Sequence, residues 1–279
     1  MRALVTLTVA EGKQLIAESI AIMPQVQRAV MQGKILFKGG TTVSAVLERL
    51  TGQCLRISGR ISPRGTKGSG TVSRTAHSVL LEQGRVQNID TCFAETVQSL
   101  ACEDVAVLGA NALDVSGRAA MLFGSPLGGN PGEGMAGLWA QGCQVMIACG
   151  LEKLIPTSID VAIQAAGIQS FDWAMGMAVG LTPLVGTVIT EQRALEQLAD
   201  VRCVVIAAGG ISGAEGAQTL AIEGEPIEVE KTVKFILSIK GARTKGVAET
   251  MKECVCGSPG CSIHRSCAWR KAQGGDLKW

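Results

Sequence analysis

Lys34-Ile-Leu-Phe-Lys38, then Gly39-Gly40-Thr41-Thr42, then Val43-Ser-Ala-Val-Leu-Glu-Arg-Leu50 is the stretch that decides the fold. The first five residues read as a short apolar strand and the last eight as a helix. The Gly-Gly-Thr-Thr loop between them joins a strand end to a helix start. Glycines let backbone approach a ligand closely. Free backbone N–H groups and two hydroxyls at a helix start suit an anion such as a phosphate. A tight turn capped by threonine is the equally weighted alternative. No lysine follows the glycines at the helix start, so this is not a Walker-type loop.

The same alternation continues on both sides. Residues 10–32 carry apolar residues at helical spacing, interrupted at Pro24. Residues 55–75 read as a short strand and a surface loop, His77 to Leu81 as a strand, and Glu95 to Leu100 as a helix. Asp104 to Ala110 is a strand of buried character ending at Asn111, Gly134 to Gln141 a helix, and Gln144 to Cys149 a second buried strand. Strands alternating with helices predict an α/β fold with a mainly parallel, Rossmann-like sheet covered on both faces. After Pro156 the expected order is strand 185–190, helix 192–198, strand 202–207, strand 218–222 and helix 228–239. That order is most of a ferredoxin-like unit. The expected organisation is a phosphate-binding α/β domain at 1–167, a small ferredoxin-like domain at 168–244 and a cysteine-rich tail at 245–279.

Composition narrows the classes. Hydrophobic residues make up 47% and charged residues 18% of 279, which fits a well-buried core and not a disordered chain. A net charge of +2 gives no argument for nucleic acid or an anionic membrane. Five Phe, four Trp and no Tyr do not make a base-stacking platform. Glu11, Lys13 and Glu18 interrupt the N-terminal apolar pattern, so no signal peptide is expected. No stretch reads as a membrane span. A cytoplasmic protein with reduced thiols, assembled as a homo-oligomer, is the expectation.

Two acids are candidates for proton transfer. Gly109, Asn111 and Asp114 follow a buried strand, and ligands bind at such carboxyl ends in open α/β sheets. Asp114 there is an acid or base, or a turn aspartate bonding its own backbone. Glu133 follows the loop Gly128-Gly129-Asn130-Pro131-Gly132, as a general base or as a favourable charge at a helix start. Cys143 and Cys149 flank a strand, where a cysteine is more often a small core hydrophobe than a catalytic thiol. His77, the lone histidine outside the tail, reads as structural.

The Gly-Gly-Thr-Thr loop resembles the first phosphate loop of the superfamily of ribose-5-phosphate isomerase, glucosamine-6-phosphate deaminase, CoA transferases and DeoR-type sugar-phosphate sensors. Val107-Leu-Gly-Ala-Asn-Ala-Leu-Asp114 resembles that superfamily's strand ending in Gly-Ala-Asp plus a second acid. Gln144-Val-Met-Ile-Ala-Cys-Gly-Leu-Glu-Lys-Leu154 resembles its later strand, which precedes a turn containing a lysine, here Lys153. The resemblance covers roughly residues 10–160, and a small ferredoxin-like domain follows in the isomerase. It implies that Asp114 is the second aspartate and Glu133 the isomerase base. Asn111 stands where the family has the aspartate of Gly-Ala-Asp, and Gly124 where the isomerase has a lysine. Those departures bear on the isomerase reaction and leave phosphate or nucleotide binding.

The tail is different in kind. Cys254, Cys256, Cys261 and Cys267, with His264, supply four or five soft ligands within fourteen residues. A structural zinc ion or an iron–sulfur cluster uses such donors. Reduced thiols or a redox dithiol are the alternative. The short basic end after Cys267 is a candidate contact for a protein partner. Three functions follow as expectations. The first is binding of a small phosphorylated metabolite or CoA-type ligand, with isomerase-like chemistry, through Gly39, Gly40, Thr41, Thr42, Gly109, Asn111, Gly128, Gly129 and Lys153. The second is a metabolite-sensing or assembly module using the tail. The third is an iron–sulfur redox protein.

Overall fold

The computed structural model describes residues 1–68 and 73–253. The tail cysteines and His264, with the zinc or iron–sulfur site expected on them, lie outside the described residues. In chain order the elements begin β1 (Arg2–Leu7), α1 (Val9–Ile22), α2 (Pro24–Gln32), β2 (Lys34–Lys38), α3 (Thr41–Thr51), β3 (Arg60–Ser62), β4 (Gly65–Lys67), β5 (Ser78–Glu82), β6 (Arg85–Asn88) and α4 (Phe93–Gln98). They continue with β7 (Val105–Gly109), β8 (Ala112–Leu113), β9 (Ala119–Phe123), α5 (Gly129–Ala140), β10 (Gln144–Ala148), α6 (Ile159–Ala165), β11 (Gly180–Leu184) and β12 (Thr187–Ile189). The last are α7 (Glu191–Leu198), β13 (Val201–Ala208), β14 (Gln218–Gly224) and α8 (Pro226–Ser238).

A six-stranded sheet in the order β12-β10-β7-β2-β5-β6 forms the centre. The first four strands run parallel, and β5 and β6 add antiparallel pairings. The sheet is therefore mixed, where a mainly parallel one was expected. Between β2 and β5 the chain runs through α3 and the β3–β4 hairpin and returns antiparallel to β2, and β5 turns directly into β6 through Gln83-Gly84.

Burial follows the two-residue period of a strand. Ile35 and Phe37 of β2, Val105 and Val107 of β7, and Met146 and Ala148 of β10 enter one apolar cluster. Their neighbours Leu36, Ala106, Leu108, Val145 and Ile147 enter a second cluster on the opposite face. Both faces are covered, which is why these strands read as unbroken apolar runs. The first face is packed by α1, α2 and α3, with Leu15, Val26 and Val46, and the same cluster continues through Leu195 of α7 and Ile236 of α8 to the small sheet. The second is packed by α4 and α5, with Phe93, Val97, Met135 and Leu138. Asp104 fixes the starts of two central strands. Its carboxylate accepts the Lys34 N–H at 2.7 Å and the Ala101 N–H at 2.8 Å.

The ferredoxin-like expectation is corrected. The strand that was to open the small unit, β12, extends the large sheet beside β10. The third strand of the small sheet is β1, from the other end of the chain, giving the order β1-β14-β13. Ala3, Val5 and Leu7 of β1 alternate with outward residues, and Leu7, Leu220, Ile222, Val201 and Cys203 share the apolar cluster with α1. Thr8 then caps α1 in a reciprocal box with Glu11. Among the described residues no helix is long and apolar enough to cross a membrane.

Candidate functional site

The parallel strands β2, β7 and β10 all end at one cleft of about 430 Å3. That size falls in the range of small-molecule sites. Lys38 to Thr42 line it after β2, Gly109 to Asn111 after β7, and Ala148 and Lys153 after β10. Gly128, Gly129, Asn130 and Pro131 line it from the start of α5. The hairpin β3–β4 contributes a further wall. It is held in place by Thr66, whose N–H donates to Met175 O at 3.1 Å and whose carbonyl accepts the Met177 N–H at 2.7 Å.

The cleft therefore gathers Gly39, Gly40, Thr41, Thr42, Gly109, Asn111, Gly128, Gly129 and Lys153, the residues expected to bind ligand. Two helices, α3 and α5, begin at its rim. Gly40 and Gly128 cap them without a side-chain hydrogen bond, so first-turn N–H groups are left for a ligand or water. Asn111 accepts the Leu122 N–H at 3.0 Å through Oδ1, and its amide nitrogen has no partner among the described residues.

Asp114 and Glu133 are not brought into the cleft. The Asp114 carboxylate accepts from Ser116 Oγ at 2.6 Å, Ser116 N at 3.0 Å, Arg118 N at 3.0 Å and Ile159 N at 3.0 Å. The Ser116 hydroxyl, then the backbone donors, hold its pKa down to about 2. It ties the β8–β9 turn to the start of α6. Asp114→Ala is expected to lower the melting temperature while leaving ligand responses of the cleft intact, which thermal melts with and without ligand would check. Glu133 is exposed on α5.

Apart from Lys153, sequence reasoning missed the charged residues of the cleft. Lys13, Lys38, Arg56, Arg60 and His77 all line it. Lys38 ends β2 and is only 8% exposed. Its ammonium lies 5.7 Å from the centre of the Phe123 ring and makes no ion pair or hydrogen bond among the described residues. Burial pulls its pKa down to about 8. His77 is pushed down to about 4 by burial and then by the Lys38 charge, so its ring is neutral at pH 7. Its Nδ1 sits 3.0 Å from Arg56 O, so the proton resides on Nδ1 and donates to that carbonyl. Nε2 is left as the acceptor. The signal for Lys38 was a cation closing an apolar strand just before the glycine pair. The signal for Lys13 was a cation on the apolar face of a helix.

Asp90 is the single carboxylate lining the cleft among the described residues. It is committed to Arg56 at 2.9 Å and to the N–H groups of His77 and Ser78. Lys13 and Lys153 both approach Glu152, at 3.8 and 3.4 Å. Beside Glu152 lies Glu191, which is 2% exposed and accepts the Leu151 N–H at 2.8 Å. Burial, then the Glu152 charge, pushes Glu191 up to about 7 from an ordinary 4.5. A carboxyl raised on folding supplies stability that is complete below about 4.5 and is lost as pH rises through about 7. The expected loss across that window is about 3 kcal/mol at about 1.4 kcal/mol per pH unit. Glu191→Gln keeps the acceptor for Leu151 and is expected to flatten this part of the profile, read from urea unfolding at pH 4.5 and 7.5.

The thiols flanking β10 are core residues. Cys143 and Cys149 are buried, and burial pushes the Cys149 thiol up to about 12, which keeps it protonated and unreactive. Among the described residues no group of histidine, cysteine and carboxylate side chains is placed to hold a metal ion. No protein-family model, curated protein or solved structure matches the chain.

Proposed function

We propose that the chain binds a small phosphorylated metabolite or CoA-type ligand in this cleft, with the phosphate at Gly39 to Thr42. One observation carries the reading. The uncapped start of α3 opens directly beside Lys38, a buried ammonium without a carboxylate partner among the described residues. Lys13, Arg56, Arg60 and Lys153 add positive charge around it, against Asp90, the single lining carboxylate among the described residues and already paired. A dianion there meets backbone donors and cations in a partly desolvated site, where such contacts are strongest. The parallel half of the sheet, with ligand groups at its strand ends, agrees with a Rossmann-like arrangement and with the resemblance to the ribose-5-phosphate isomerase superfamily.

The same geometry favours binding or sensing over carboxylate-driven isomerisation. Asp114 is saturated by hydrogen bonds, Glu133 lies on exposed α5, and Asp90 is paired. Thermal unfolding with inorganic phosphate and a panel of sugar phosphates and CoA esters tests the reading. Saturable stabilisation is expected, about 2.7 kcal/mol at a hundred times Kd. The dephosphorylated sugars are expected to give none, and the Thr41→Ala, Thr42→Ala double variant to lose most of the effect. Stabilisation by no phosphorylated ligand, or an unchanged response in the double variant, overturns it.

A further inference from the structure

We infer that Lys38 is an amine nucleophile, which condenses with the carbonyl group of a phosphorylated aldehyde or ketone held in the cleft. The inference rests on the anion-binding reading above and names the substrate class for that site.

Among the described residues three lysines line the cleft, and they are not equivalent. Lys13 and Lys153 share Glu152, at 3.8 and 3.4 Å. Burial, then the Lys153 charge, lowers the Lys13 pKa, but its nitrogen faces the Glu152 carboxylate, as does that of Lys153. Lys38 has no carboxylate within ion-pair distance among the described residues, and Phe123 lies 5.7 Å from its nitrogen. It ends a central strand flanked by β5 and β7, and its own backbone pairs with Ser78 of β5. A buried ammonium without a counter-charge gives up its proton readily, and burial alone brings this one to about 8. The anion loop starts at the next residue, Gly39. A phosphate at that helix start therefore leaves the rest of a small molecule next to the amine. His77, neutral, adjoins the same position and offers Nε2 as a hydrogen-bond acceptor.

The step balances without another reactant. The Lys38 lone pair adds to the carbonyl carbon while the carbonyl π pair moves to oxygen. The oxygen takes up the proton released by nitrogen. The resulting carbinolamine loses that hydroxyl together with the remaining nitrogen proton as water and leaves an imine, which hydrolysis returns to lysine and carbonyl compound. A purely electrostatic Lys38 would bind phosphate and form no covalent bond.

Pyridoxal 5′-phosphate carries an aldehyde and a phosphate on one small ring and serves as the probe. The full chain is mixed with less than one equivalent at pH 7.5 and reduced with borohydride, and the labelled peptide is located by mass. Lys38 is expected to label at least about tenfold faster than any other lysine, because an ordinary lysine near 10.4 is only about a thousandth free amine at that pH. Its rate is expected to level off above about pH 8. Pyridoxal without the phosphate is expected to react at least about tenfold more slowly at Lys38, because it lacks the group held by the helix start. Lys38→Arg retains the charge and is expected to remove the fast adduct, with its circular dichroism spectrum checked against the parent. The wild-type labelling pattern stands whether or not that variant folds.

Equal labelling of all lysines overturns the inference. If inorganic phosphate stabilises the protein and Lys38 is still not labelled preferentially, the amine role fails and the anion site survives. If Lys38 reacts fast with pyridoxal and its phosphate alike, the amine role holds and the phosphate loop fails.

Discussion

Lys38→Met is expected to make the protein more stable at pH 7 and, in the same variant, to abolish stabilisation by phosphorylated ligands. The two effects share one cause. Lys38 sits at 8% exposure with its ammonium over Phe123 and, among the described residues, no carboxylate to compensate it. The fall from 10.5 to about 8 corresponds to about 3 kcal/mol, at about 1.4 kcal/mol per pH unit, by which folding disfavours the charged form. Methionine has a similar unbranched stem and a favourable contact with an aromatic ring, so the packing over Phe123 is retained. The pH dependence has a definite sign. The folded pKa is lower than the unfolded one, so the penalty is full below about pH 8 and fades as pH rises towards 10.5. The advantage of Lys38→Met over the parent should therefore be largest at pH 7 and nearly gone at pH 10.5. Urea unfolding at the two pH values, with and without phosphate, measures both effects. A variant that is less stable at pH 7 and still responds to phosphate would make Lys38 a packing residue and remove it from the site.

That trade of stability for a charge explains which parts of the molecule were legible in the sequence. β2, β7 and β10 were readable because their side chains are buried on both faces, so apolar runs bounded by glycine are all they can be. The loop at Gly39 to Thr42 was readable because it joins strand to helix without a spacer. β1 was not, because its six residues carry only half an apolar face and merge with the pattern of α1. Its pairing with β14 bridges more than two hundred residues, and nothing local encodes that contact. β12 was readable as a strand, but its partner was not. Three residues beside β10 carry no mark of which sheet they join. In the cleft, glycines and hydroxyls at strand ends announce themselves, whereas a lysine does so only when something shows it to be buried. Lys38 stands two residues after Leu36 in a strand, and either exposure or function would explain it. The carboxylates drew attention because acids after strands are common in active sites. Asp114 turns out to spend its acceptors on Ser116, Arg118 and Ile159, the ordinary work of a turn aspartate.

The glycine pair separates packing from binding within two adjacent residues. A Cβ on Gly39 would lie 2.2 Å from His77 Nδ1 and 2.6 Å from the His77 carbonyl oxygen. His77 has no room to yield. Its N–H is bonded to both oxygens of Asp90 at 3.0 Å, its ring to Arg56 O at 3.0 Å, and the next N–H to Asp90 at 2.7 Å. Gly39→Ala is therefore expected to cost about 3 kcal/mol or more, the upper end for an overpacked site because backbone must move. Gly40 is the opposite case. Its φ of 173° is extended backbone open to any residue, and a Cβ there meets only Val43 Cγ2, at an ordinary 3.7 Å. Gly40→Ala should stay within about 1 kcal/mol of the parent, as a substitution that fits the backbone without a clash. Gly40 nevertheless caps α3 at the rim of the cleft, where a phosphate must approach the first N–H groups. The added methyl stands in that approach, and the affinity for inorganic phosphate is expected to fall at least about tenfold, equivalent to about 1.4 kcal/mol. Calorimetric titration of Gly40→Ala, beside unfolding curves for both variants, reads the two consequences separately. A Gly40→Ala protein that folds normally and binds phosphate like the parent would place the anion elsewhere than on this helix start. A Gly39→Ala protein as stable as the parent would mean that His77 is not the fixed wall against which the loop is built.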